Sequence, residues 1–234
     1  MSHKYVPSNA REEFKNSLVE ITETLKLIAP PKKVDPKLKN YVLGAAILFM
    51  SAKLENYISD LFKGICQRAC GEIQSADGIP AHLLGWIFLN DGHLELSRSF
   101  VARSDEGDFI KKTGTYLQQD LLAKQGTFLK DEKFRGIDSK SYPSVKNVKK
   151  MYRRIGIESI FTLLSKRMKV DVEGRLKSFN SIRGKLAHSG IDGAFSYGDI
   201  KAQRKSINQL VAALDKETFY FLRQSNAWKA WPAT

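Results

Sequence analysis

The stretch Ser178–Gly190, SFNSIRGKLAHSG, decides how the chain is read. Leu176, Phe179, Ile182 and Leu186 recur through it at three- and four-residue intervals, the period of a helix with one buried face. Gly190 is a natural stop for that helix. Ser196, followed three residues later by Asp199, then has the pattern of a capping box that starts a new one. Ile207, Leu210, Val211, Leu214, Thr218, Phe221 and Leu222 line up on one face of this last helix, the strongest amphipathic pattern in the chain. Two amphipathic helices in tandem predict an all-α bundle.

The reading extends outward in both directions. PSVKNVKKMYRRIG (143–156) is a basic helix ending near Gly156, and IESIFTLLSKR (157–167) a short apolar one. At the other end, Phe14, Leu18, Ile21, Leu25 and Ile28 predict a first helix over residues 9–28, broken by APPKKVDP (29–36). A long second helix is predicted over 37–71, with an inner face of Val42, Ala45, Leu48, Phe49, Ala52, Leu61 and Ile65. The middle, 75–142, reads as an insertion of helices and loops on this simpler bundle. HLLGWIFLNDGHLEL (82–96) is a short helix and turn, DEGDFIKKTGTYLQQDLLAK (105–124) a helix capped by Asp105 or Asp108, and GTFLKDEKFRGIDSKSYP (126–143) a loop. No segment shows the two-residue alternation of a strand, and every proline but Pro143 lies outside 81–231.

Composition narrows the class. A chain of 234 residues with 42% hydrophobic residues builds a core within one domain. The longest apolar run, VLGAAILFM (42–50), is too short to cross a bilayer, and the N-terminal stretch lacks the apolar segment of a secretory signal. Cys66 and Cys70 stand four apart in one predicted helix and read as free thiols, which points to a reducing, cytoplasmic setting without a membrane partner. Neither cysteine, nor His82 or His93, has metal-ligand spacing, so no metal and no cofactor is expected.

The net charge of +13 is unevenly placed. Residues 140–205 hold 16 Lys and Arg against 5 Asp and Glu, a local excess of +11, while the other 168 residues carry +2. A basic region of this kind attracts nucleic acid through counterion release. Lys149, Lys150, Arg153, Arg154 and Lys185 are the candidate backbone contacts.

Arg183 and His188 sit at the centre of that region. Five residues apart on an ideal helix, they diverge by roughly 140° and rise about 7.5 Å. One helix does not aim both at one atom. Two copies about a twofold axis would, and a distortion near Gly190 is the other solution. The residue types suit metal-independent RNA cleavage: a histidine to move the proton of a 2′-hydroxyl or leaving oxygen, and an arginine to clamp the phosphate. Glu55, in line with Leu48 and Phe62, requires a partner if it is buried, and Arg183 is the expected one. The competing reading leaves Glu55 in solvent, paired locally with Lys53 or Ser59.

RGKLAH (183–188), with the capping start and long helix after it, resembles the C-terminal half of the HEPN superfamily. AAILFMSAKLENYISDLF (45–62) resembles an early helix of its RiboL-PSP-like branch. The resemblance covers about 37–71 and 143–222. It implies an all-α, HEPN-like bundle acting as a homodimer. It also implies a metal-independent endoribonuclease with Arg183 and His188 as the motif pair, Glu55 in support, and RNA as substrate. The family's settings are toxin–antitoxin and phage defence, so an antitoxin or defence-system partner is implied. One position departs from the pattern: the polar residue that usually follows the arginine is here Gly184. The alternatives are a catalytically inactive HEPN-like module that binds RNA or a protein, and a DNA-binding regulator using VKKMYRRIG (148–156).

Overall fold

The computed structural model describes residues 4–30, 33–72, 79–87, 106–119, 142–189, 195–225 and 227–233. Seven α-helices carry the fold: α1 (Asn9–Lys26), α2 (Pro36–Glu72), α3 (Glu106–Gln119), α4 (Val145–Arg154), α5 (Ile160–Met168), α6 (Val172–Ser189) and α7 (Tyr197–Gln224). Residues 81–87 are also helical, Trp228–Ala230 form a 3-10 turn, and no strand occurs among the described residues.

Helix α2 is the axis of the bundle; α1, α6, α7 and the 3-10 turn all pack on it. Its buried line runs Leu43, Ile47, Met50, Leu54, Leu61, Phe62 and Ile65. This corrects the expected inner face. Leu61 and Ile65 are inside, but Ala45, Leu48, Phe49 and Ala52 are exposed and Val42 only half-buried. The helix is apolar on two sides through residues 42–52, so periodicity alone did not single out the side its neighbours cover. On α1 the expected face is the buried one, from Phe14 to Ile28. On α7 it holds except for Phe221, which is half-buried, and it gains Phe219 and a carboxylate, Asp215.

The start of α7 has the predicted capping box, with the Ser196 hydroxyl accepting from the Asp199 N–H and the Asp199 carboxylate accepting from the Ser196 N–H. Inside, Phe62 meets Trp86 and Tyr152 edge-on, with ring centroids 5.7 and 5.0 Å apart. Trp86 belongs to the middle segment, as do buried Leu83, Leu84 and Ile110. The described part of that segment is thus built into the core. Its two helical pieces cross backbone to backbone. A Cβ on Gly85 would fall 2.0 Å from the Ile110 carbonyl oxygen and one on Gly114 1.6 Å from that of Ala81, so only glycine fits. The loop reading of 126–141, the turn after 87 and His93 lie outside the described residues. Cys66 and Cys70 are buried and joined in no disulfide, and no described helix is long and apolar enough to cross a membrane.

Candidate nucleic-acid interface

Helix α6 is continuous from Val172 to Ser189. Leu176, Phe179 and Leu186 bury its inner side, which turns Arg183 outward to a half-exposed position. The backbone of His188 lies in the last turn of the helix; its side chain lies outside the described set. The uninterrupted helix keeps the backbone positions of 183 and 188 on divergent sides.

Within the protomer Arg183 does not meet Glu55 directly. Among the described residues Glu55 has no ion pair or hydrogen bond and is half-exposed. The alternative pairing with Lys53 is absent too, because the Lys53 ammonium sits 5.0 Å over the ring of Phe49. The Arg183 guanidinium instead lies over the ring of Tyr142, its Cζ 4.6 Å from the ring centroid. Tyr142 is held from two sides. Its carbonyl accepts from the Asn147 side chain at 2.8 Å, and its hydroxyl donates to the Asn180 carbonyl at 3.4 Å. The Asn180 amide in turn donates to the Pro143 carbonyl at 3.1 Å, pinning this segment to α6 one turn before Arg183. Partial burial pushes the Tyr142 phenol up, against the opposing pull of Arg183, so the ring stays neutral beneath the cation. Tyr142 was missed in the sequence because it stands in a loop; its only signal was an aromatic just before the basic helix.

Gly184 faces open space: an added Cβ would meet nothing within 4 Å. No packing requirement explains the glycine. Lys185 is exposed and without an ion pair among the described residues.

The other candidate contacts come from α4, whose inner face buries Val148, Met151 and Tyr152. Its outer side forms an open groove of about 590 Å³ with Glu106 of α3 and Lys177 of α6. Lys149 pairs with Glu173 at 2.8 Å, Lys150 with Glu106 at 2.9 Å and Arg153 with Glu158 at 2.9 Å. These three cations are 39–45% exposed, so each partner is a weak competitor for a phosphate. Arg154 is different and corrects the expectation. It is only 4% exposed, donates to Glu106 at 2.8 Å and lies over Trp86, so it is a strut between helices rather than a backbone contact. Lys177 of the groove and Arg183 share α6, about 9 Å apart along its axis.

Among the described residues no group of three or more His, Cys, Asp and Glu is placed to hold a metal ion. His82 is half-buried beside Glu158, 3.9 Å away; burial lowers its pKa against the pull of that carboxylate. It packs against Gly156, where φ is +99°.

No curated protein matches the chain, and no solved structure does. The sequence model of one family, RiboL-PSP-HEPN, matches residues 12–218, a span that takes in α1 through most of α7 and the middle segment. Built of helices with no strand among its described residues, and matched over most of its length, the chain belongs to the RiboL-PSP-HEPN family.

Proposed function

We propose that the protein is a metal-independent endoribonuclease working as a homodimer in a toxin–antitoxin or phage-defence setting. The observation that carries this reading is Arg183. It is a half-exposed guanidinium on α6, stacked on Tyr142, without a carboxylate partner among the described residues and next to a basic groove. An arginine held by a ring rather than an acid keeps its donors for a phosphate.

In the reaction the RNA 2′-hydroxyl oxygen attacks the adjacent phosphorus as its proton is removed. The O2′–P bond forms, the P–O5′ bond breaks and the 5′-oxygen takes up a proton. The products are a 2′,3′-cyclic phosphate and a 5′-hydroxyl. Arg183 stabilises the charge that builds on the phosphate oxygens. His188 moves the proton, from the 2′-hydroxyl or to the leaving 5′-oxygen. The divergence of 183 and 188 along an unbroken helix favours a cleft lined by both copies. Lys149, Lys150, Arg153 and Lys185 hold the RNA backbone.

The test is cleavage of single-stranded RNA by purified protein in EDTA, with cyclic-phosphate ends on the products. His188→Ala is expected to abolish cutting with the helical circular dichroism unchanged. Cutting that survives His188→Ala would remove the assignment. Gly184 favours a second reading, a silent module that binds RNA or protein without cutting it. Retention of RNA by wild-type protein with no cleavage would select that one.

A further inference from the structure

The apolar stripe on the outer side of α2 has no partner in the described fold. Leu38 and Tyr41 are each 54% exposed, and Leu48 and Phe49 each 39%. Ala45 and Ala52 complete the stripe and are exposed as well. At 1.5 Å per residue, positions 38–55 extend about 26 Å along one side of a single helix. Scattered surface hydrophobics are ordinary; a continuous line at helical spacing marks an interface.

We propose that this stripe is the self-association surface of the chain and that its occupant is α2 of a second copy, running antiparallel about a twofold axis. The pattern is complementary to itself. A twofold near residues 46–47 sets Ala45 opposite Leu48 of the second copy, and Tyr41 opposite Ala52. Leu48 and Tyr41 then each face an alanine, as close helix packing requires. In this register Glu55 of one copy falls one residue from Lys37 of the other, within reach of a lysine side chain. Lys37 and Glu55 fall at the two ends of the stripe and, 18 residues or five helical turns apart, on the same edge of it. Among the described residues neither has an ion pair. Antiparallel pairing brings Glu55 of each copy to Lys37 of the other, giving two symmetric bridges that flank the apolar seam. A carboxylate without a partner among the described residues of its own protomer thereby finds one in the other.

The stripe is also at the end of the bundle where the interface would matter. Val42, Ala45 and Phe49 of α2 lie along a groove with Glu20, Ile21 and Thr24 of α1. Thr22 of α1 accepts a hydrogen bond from Arg204, in the first turns of α7, and α6 ends just before α7 begins. The exposed stripe therefore lies at the end of the bundle where α7 begins. The purpose of the dimer, a shared cleft, rests on the ribonuclease reading; the assembly itself is measured without RNA.

Sedimentation velocity and light scattering of the full chain at micromolar concentration are expected to give a dimer. Ala45→Glu places a charge on the exposed seam and is expected to give a monomer with unchanged helicity. Glu55→Lys is expected to weaken the dimer about tenfold, and Glu55→Lys with Lys37→Glu to restore it. A wild-type monomer would overturn the proposal, as would a dimer indifferent to a folded Ala45→Glu. If Ala45→Glu does not fold, the charge pair decides: no weakening in Glu55→Lys, or no recovery in the double variant, rejects this register. A dimer that cuts no RNA rejects the ribonuclease and leaves the interface standing.

Discussion

Arg183 owes its orientation to one aromatic ring, so the ring is where a substitution is most informative. A cation–π contact contributes about 0.5–2 kcal/mol depending on exposure. Tyr142→Leu is expected to lower kcat for RNA cleavage by roughly threefold to thirtyfold. Tyr142→Phe keeps the ring, loses only the long bond to the Asn180 carbonyl, and is expected to stay near wild type. Equal losses in both variants would assign the effect to the hydroxyl. Gly184 is the second informative residue. Mid-helix glycine costs about 0.5–1 kcal/mol relative to alanine, and nothing crowds this position. Gly184→Ala is therefore expected to raise stability by that amount in urea unfolding. Gly184→Asn puts an amide beside Arg183, as in the usual family pattern, and is expected to raise the cleavage rate; a fall in rate would show that the glycine admits substrate.

Between elements, Glu106 joins α3 to α4. Its carboxylate takes Arg154 at 2.8 Å and Lys150 at 2.9 Å, with the Arg154 side chain almost wholly buried. Burial pushes the Glu106 pKa up, but the bonds to Lys150 and Arg154 outweigh it and hold the carboxyl below its ordinary value. Glu106→Gln leaves the Arg154 charge poorly compensated and is expected to cost about 3 kcal/mol. The pH dependence follows from the direction of the shift. A depressed folded pKa contributes stability in full above the ordinary carboxylate range and loses it as pH falls through the folded value. The gap in Tm between wild type and Glu106→Gln is expected to be widest near neutrality and to narrow in acid. A gap independent of pH would mean that the ion pair contributes nothing beyond packing.

Across the whole molecule, Asp215 gathers the N-terminal segment, α2 and α7. The fully buried carboxylate accepts from the Ser8 hydroxyl at 2.5 Å, the Ser8 N–H at 3.1 Å, the Tyr5 hydroxyl at 2.8 Å and the Tyr57 hydroxyl at 3.3 Å. Burial raises its pKa more than these bonds lower it. The sign is opposite to that of Glu106: the folded state binds the proton more tightly, so this group's contribution falls as pH rises between the unfolded and folded values. Asp215→Asn carries a constant cost from its altered hydrogen bonds but does not titrate. Its Tm relative to wild type is expected to improve as pH rises from the ordinary carboxyl range toward neutrality, and a flat difference would show that Asp215 titrates normally.

Local periodicity determined much by itself. The all-helical class, α1 with its inner face, the capped start of α7 and the placement of 183 and 188 on one helix were legible in the chain, because spacing and caps are properties of neighbouring residues. Residues distant in sequence decided the rest. Which of two apolar sides of α2 is covered depends on where α1, α6 and α7 pack. That Arg154 is a strut depends on Glu106, 48 positions away. That Arg183 meets Tyr142 rather than Glu55 depends on how the α4 entrance is pinned to α6. A side chain's charge and helical phase are written in the sequence. Its partner is whatever the packed bundle brings within reach, and that is fixed only when burial and hydrogen bonding across the whole chain are satisfied together.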